Sequence, residues 1–126
     1  MFTDKKLIMT TKEIAGLLVE MCRNGQVEEA KEKLFADDIV SIEPMEGLLP
    51  KEVRGMKAIR DKAALFISMV ENFYSSTISD PLIAGDYFSV SWESDLQMKG
   101  EERKISTELC VYKTSGGKII SEQFFY

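Results

Sequence analysis

Across residues 86–98 the chain alternates, with Phe88, Val90, Trp92, Leu96 and Met98 on one side of an extended backbone and Ser89, Ser91, Glu93, Asp95 and Gln97 on the other. A period of two over that length describes a strand with one dry face. Three more runs rich in β-branched and aromatic residues surround it, at roughly 73–84, 103–113 and 118–126, punctuated by Gly85, Gly100 and Gly116-Gly117. Connections that short join only antiparallel neighbours, so the second half is predicted to be a meander whose apolar face needs a cover.

The first half supplies that cover. Thr10-Thr11-Lys12-Glu13 has the form of a capping box, and Ile14, Leu17, Leu18, Met21 and Cys22 then mark one stripe of a helix ended by Asn24-Gly25. Val27, Ala30, Leu34 and Phe35 continue the period in a second helix, which Asp37-Asp38 break before a short strand at 39–42. A connection at 44–55 follows, carrying Met45, Leu48 and Leu49 where a plain linker would be polar. A third helix is predicted over 56–71, with Met56, Ile59, Ala63, Phe66, Ile67 and Val70 on its apolar face. The expected fold class is α+β: three N-terminal helices packed in the concave face of a strongly curved antiparallel sheet. One domain is expected over 1–126, with 1–9 a loosely ordered N-terminal segment.

Charge and residue types exclude several function classes. The net charge is -5, and the 16 basic residues are scattered among acidic ones, so the clustered cations that nucleic acid or a membrane surface requires are lacking. No histidine occurs, which rules out His-based nucleophile pairs and His-ligated metals; no metal or cofactor is expected. Cys22 and Cys110 share no metal-like spacing and read as buried thiols. Residues 1–11 show no cleavage-site pattern, and the expected location is the cytoplasm. Any catalysis must use carboxylates, tyrosines or lysines.

Three stretches, Leu34-Phe35-Ala36-Asp37-Asp38, Gly55-Met56-Lys57-Ala58-Ile59-Arg60 and the ending from Gly117 to Tyr126, give the chain a resemblance to the nuclear transport factor 2-like superfamily. Also called cystatin-like or SnoaL-like, it includes ketosteroid isomerase and polyketide cyclases. The resemblance implies a cone-shaped sheet with a pocket between sheet and helices, and dimers through the outer sheet face. Function does not follow from it, because the scaffold hosts isomerases, cyclases, dehydratases and proteins that only bind.

The resemblance also points to site residues. Glu43-Pro44 stands where ketosteroid isomerase has an Asp-Pro whose carboxylate shuttles a proton between substrate carbons. Glu108 falls near the isomerase position that holds a protonated acid as hydrogen-bond donor to an oxyanion. Strand parity speaks against Glu108, since Ile105, Leu109 and Val111 lie on the other face, unless that face is a dimer contact. The tyrosine the isomerase pattern wants on the first helix is missing; its place is close to Leu18. Leu18, Phe66, Met69, Phe88, Trp92, Phe124 and Tyr126 are the expected ligand-binding walls. The leading expectation is a small-molecule-binding pocket protein that takes an apolar or carbonyl-containing ligand and forms a homodimer. The alternatives are a carboxylate-based isomerase or cyclase with Glu43 as shuttle, helped by Glu108, Tyr126 or Tyr112, and a dimerising interaction module without a functional cavity. If Glu43 is the shuttle, Glu43→Gln is expected to abolish turnover and leave the fold largely intact.

Overall fold

A computed structural model describes residues 8–126. Its elements run α1 (Thr11–Arg23), α2 (Val27–Leu34), β1 (Phe35–Ile42), β2 (Glu52–Arg54), α3 (Met56–Ser68), β3 (Val70–Ile78), β4 (Leu82–Ala84), β5 (Tyr87–Met98), β6 (Arg103–Ser115) and β7 (Lys118–Phe125). The strands form one curved sheet in the order β2-β1-β7-β6-β5-β3, with β4 also on β5. Every pairing is antiparallel except β1 with β7, which the helical crossover between them allows to run parallel. Three helices on a curved, mostly antiparallel sheet is the α+β architecture expected.

α1 begins as the capping box dictates: the Thr10 hydroxyl accepts from the Glu13 amide and the Glu13 carboxylate accepts from the Thr10 amide. Its stripe of Ile14, Ala15, Leu18, Val19 and Cys22 is buried against Ala30 and Leu34 of α2 and Phe88, Val90 and Ile119 of the sheet. Phe88 stacks on Tyr112 with ring centroids 4.8 Å apart, which closes the core at this end.

Four boundaries differ from the sequence expectation. β1 already starts at Phe35, so Asp37 and Asp38 lie within the strand as exposed residues rather than ahead of it. The connection after Glu43 contains the short edge strand β2, paired Ser41 to Val53. Helix α3 stops at Ser68, and β3 takes up Val70. The run 73–84 splits into β3 and β4 at Ser79-Asp80-Pro81, because Pro81 has no amide for the ladder. Arg23 holds that corner by donating to the Ile78 carbonyl and pairing with Asp80. Of the expected loose segment at 1–9, residues 1–7 lie outside the described residues, and Met9 packs partly buried against the core.

Gly55 makes the turn from β2 into α3. Its φ of 91° is in the left-handed region, and its amide donates to the Ile39 carbonyl at 2.8 Å, which fixes where the helix crosses the sheet.

Candidate functional site

The inward face of the sheet is apolar under α1 and polar under α3. Strand alternation turns Glu108, Cys110, Tyr112 and Thr114 of β6 inward, and Glu122 and Phe124 of β7 with them. The parity expectation for Glu108 is thereby reversed: Ile105 and Leu109 are the exposed pair. Apolar residues on this strand mark the outer face because the inner one carries the polar groups.

Glu43 lies just beyond the end of β1 and is only 4% exposed. Each carboxylate oxygen has a partner: the Tyr126 hydroxyl donates to Oε1 at 2.7 Å, and the Lys62 ammonium of α3 pairs with Oε2. Lys62, itself buried, also donates to Ser41 Oγ at 2.8 Å and stands over the Phe124 ring. Ser41 Oγ in turn donates to Glu122 Oε2 at 2.6 Å. Among the described residues no buried side-chain polar atom lacks a partner, as low-dielectric surroundings require.

Glu108 is held differently. It is half-buried, opposite Trp92 on β5 and next to Tyr126, since Leu109 pairs with Phe125. Among the described residues its one side-chain hydrogen-bond partner is the Cys110 thiol, which donates to Oε1 at 3.7 Å, a weak bond. Desolvation pushes its carboxyl up to about 7, and the Glu43 carboxylate adds to the rise. Burial raises Glu122 as well, and desolvation together with Glu43 holds the Tyr126 phenol neutral.

The mouth of the site follows from where α3 stops packing. Ile59 and Lys62 are buried, but Leu65 and Phe66, on the same stripe one turn later, are 42% and 38% exposed. An uncovered apolar stripe thus extends past the ion pair. Across from it lie the half-buried Trp92, Glu108 and Phe124, with the ring of Tyr126 exposed.

Of the residues expected from sequence, Glu43, Glu108, Trp92, Phe124 and Tyr126 come together here, and Phe66 and Met69 lie toward the end of α3. Leu18 and Phe88 do not join them; they belong to the closed core. Lys62, Ser41 and Glu122 were missed. Glu122 had a signal, since it alternates with Phe124 and Tyr126 and so shares their face. Lys62 had only its spacing of three from Ile59, because a lysine among apolar helix residues reads as solvated. Two surface hollows are present, one of about 420 Å³ between α1 and Asp80-Pro81 and one of about 190 Å³ on the Val53 side of Lys62 and Leu65, and neither is lined by Trp92, Glu108 or Tyr126.

This geometry meets a family pattern over nearly the whole chain, because residues 9–126 match the family described as SnoaL-like domain. The chain belongs to the SnoaL-like family. A Mesorhizobium loti protein assigned as a SnoaL-like polyketide cyclase is 33% identical, with a TM-score of 0.88 over 94% of this chain and 100% of that one. A Xanthomonas campestris protein with a cystatin-like fold superposes at a TM-score of 0.78 with 19% identity, covering 93% of this chain and 90% of its own. A Catenulispora acidiphila protein with a ketosteroid isomerase-like fold, solved with trimethylamine, gives 0.70 at 24% identity, covering 93% and 87%. The last two share the fold alone. No curated protein matches. The expectation of a SnoaL-like ligand-binding protein of undetermined activity stands with the family. No helix among the described residues is long and apolar enough to cross a membrane.

Proposed function

We propose that this SnoaL-like domain binds a small, flat, carbonyl-containing molecule at the mouth beside Trp92 and moves a proton next to its carbonyl, with Glu108 as the proton carrier. The observation that carries this is the contrast between two neighbouring carboxyl groups. Glu43 is tied by Lys62 and Tyr126, whereas Glu108 faces the mouth with no ion-pair partner among the described residues and changes charge near pH 7, where a group can both take and return a proton. The roles suggested by the resemblance are redistributed: Glu43 is the fixed anion, and Glu108 does the shuttling. In the forward step the C–H bond beside the carbonyl breaks, its proton goes to the Glu108 carboxylate, and the electron pair moves onto the carbonyl oxygen as an enolate. The Tyr126 hydroxyl turns from Glu43 to that oxygen, and Glu108 returns the proton to carbon.

The test is deuterium uptake from D2O into an enolisable flat ketone such as 2-tetralone, followed by proton NMR. The rate should rise with pH to a plateau above about 7, as Glu108 loses its proton, and should fall on the order of 100-fold or more in Glu108→Gln. Equal rates in the two proteins would remove Glu108 from the chemistry.

A homodimer through the outer sheet face belongs to the same proposal. Ile105, Leu109 and Phe125 stand exposed there on adjoining strands, an apolar set that water disfavours. Light scattering at micromolar concentration should give twice the 14.3 kDa monomer mass; the monomer mass would refute it. Cytoplasmic residence is part of the proposal too, supported by two buried cysteines that remain free thiols.

A further inference from the structure

The stripe of α3 that meets the sheet is apolar at Met56 and Ile59 and then interrupted by a buried lysine. Stability alone does not call for this. A buried ion pair is commonly matched or bettered by apolar residues of the same volume, since both charges must be desolvated. Local rules of this kind are broken most often where a site needs them broken. Lys62 also does more than neutralise one acid: its ammonium contacts Glu43 and Ser41, Ser41 bonds Glu122, and Tyr126 bonds the other oxygen of Glu43. Groups from α3, β1 and its end, and β7 are thus oriented from one atom.

We propose that Lys62 is a positioning residue: its ammonium fixes the direction of the Glu43 carboxylate and, until substrate binds, of the Tyr126 hydroxyl bound to it, and so sets the environment in which Glu108 works. This rests on the proton-transfer role given above to Glu108. Among the described residues the charged and titratable groups that face Glu108 are Glu43 from the end of β1, Lys62 from α3, Cys110 and Tyr112 of its own strand, Glu122 from β7 and Tyr126 just after it. Glu43 pushes the Glu108 carboxyl up, and the Lys62 ammonium, more weakly, opposes it.

The experiment is the carboxyl ¹³C titration of glutamate-labelled protein, which reads the site without any substrate. In wild type one resonance, absent in Glu108→Gln, should have its midpoint at about 7. Lys62→Met should displace that midpoint, Lys62→Arg should restore it, and the double variant Lys62→Met with Glu43→Gln should lower it, because the repulsion from Glu43 is gone. The double variant carries no unpaired charge and keeps the test open should Lys62→Met fail to fold. A midpoint unchanged in Lys62→Met, or a double variant with the wild-type value, overturns the proposal. Should the midpoints move as expected while 2-tetralone takes up no deuterium in wild type, Lys62 still positions these groups and it is the proton-transfer role that fails.

Discussion

Substituting Glu43 by Gln is expected to cost the fold about 3–5 kcal/mol, read as a loss of urea stability near neutral pH. Glu43 and Lys62 are 4% and 9% exposed, so solvent screens neither charge, and removing one leaves the other uncompensated in the interior. Adding Lys62→Met to Glu43→Gln should recover most of that loss, because the two sites share a contact and their effects are not additive. A cost below about 1 kcal/mol for Glu43→Gln would show that the ion pair is not buried as described. The expectation drawn from sequence is a Glu43→Gln variant with its fold largely intact; the pair predicts a larger cost, because a carboxylate that reads as a strand end beside a turn is the counter-charge of a lysine from another element.

The second large effect has the opposite sign. Glu108 has its carboxyl raised from 4.5 to about 7 in the folded chain, so the native state binds its proton more tightly than the unfolded state does. The stabilisation is fully present below about pH 4.5 and is lost as the pH rises through about 7. The difference amounts to about 3 kcal/mol, and Glu122, shifted in the same direction by burial, adds to it. Wild type should therefore be more stable at about pH 5 than at about pH 8. Glu108→Gln should flatten that dependence and be the more stable protein at about pH 8 by about 2–3 kcal/mol. Urea titrations at the two pH values decide it, and a Glu108→Gln variant destabilised equally at both would contradict the burial of an acid here.

Much of the fold was legible because periodicity and punctuation agreed. The capping box at Thr10, the stripe from Ile14 to Cys22, the Asn24-Gly25 stop and the alternation in β5 each express a local rule that packing then reinforced. Legibility failed where a pairing partner decides the structure. β2 is three residues long and exists as a strand through its ladder to β1, and the break at Pro81 was outweighed by the β-rich residues on either side. Glu43 was found through the Glu-Pro resemblance, and Glu108 was named but turned the wrong way by parity. That error has a physical cause: the rule that apolar residues face inward presumes an apolar interior, and here the inner face under α3 carries Ser41, Glu108 and Glu122, while the outer face carries Ile105, Leu109 and Phe125. Lys62 stayed hidden for the related reason that burial of a lysine depends on an acid distant in the chain, which no local pattern announces.

Trp92 is the single tryptophan of the chain and sits directly across from Glu108, so its fluorescence reports on the mouth and nowhere else. Titration with 2-tetralone should change its emission saturably, with the same midpoint as binding followed by calorimetry. Emission unaltered by a ketone that calorimetry shows to bind, or no binding at all, would contradict a guest site between α3 and the Trp92–Glu108 pair.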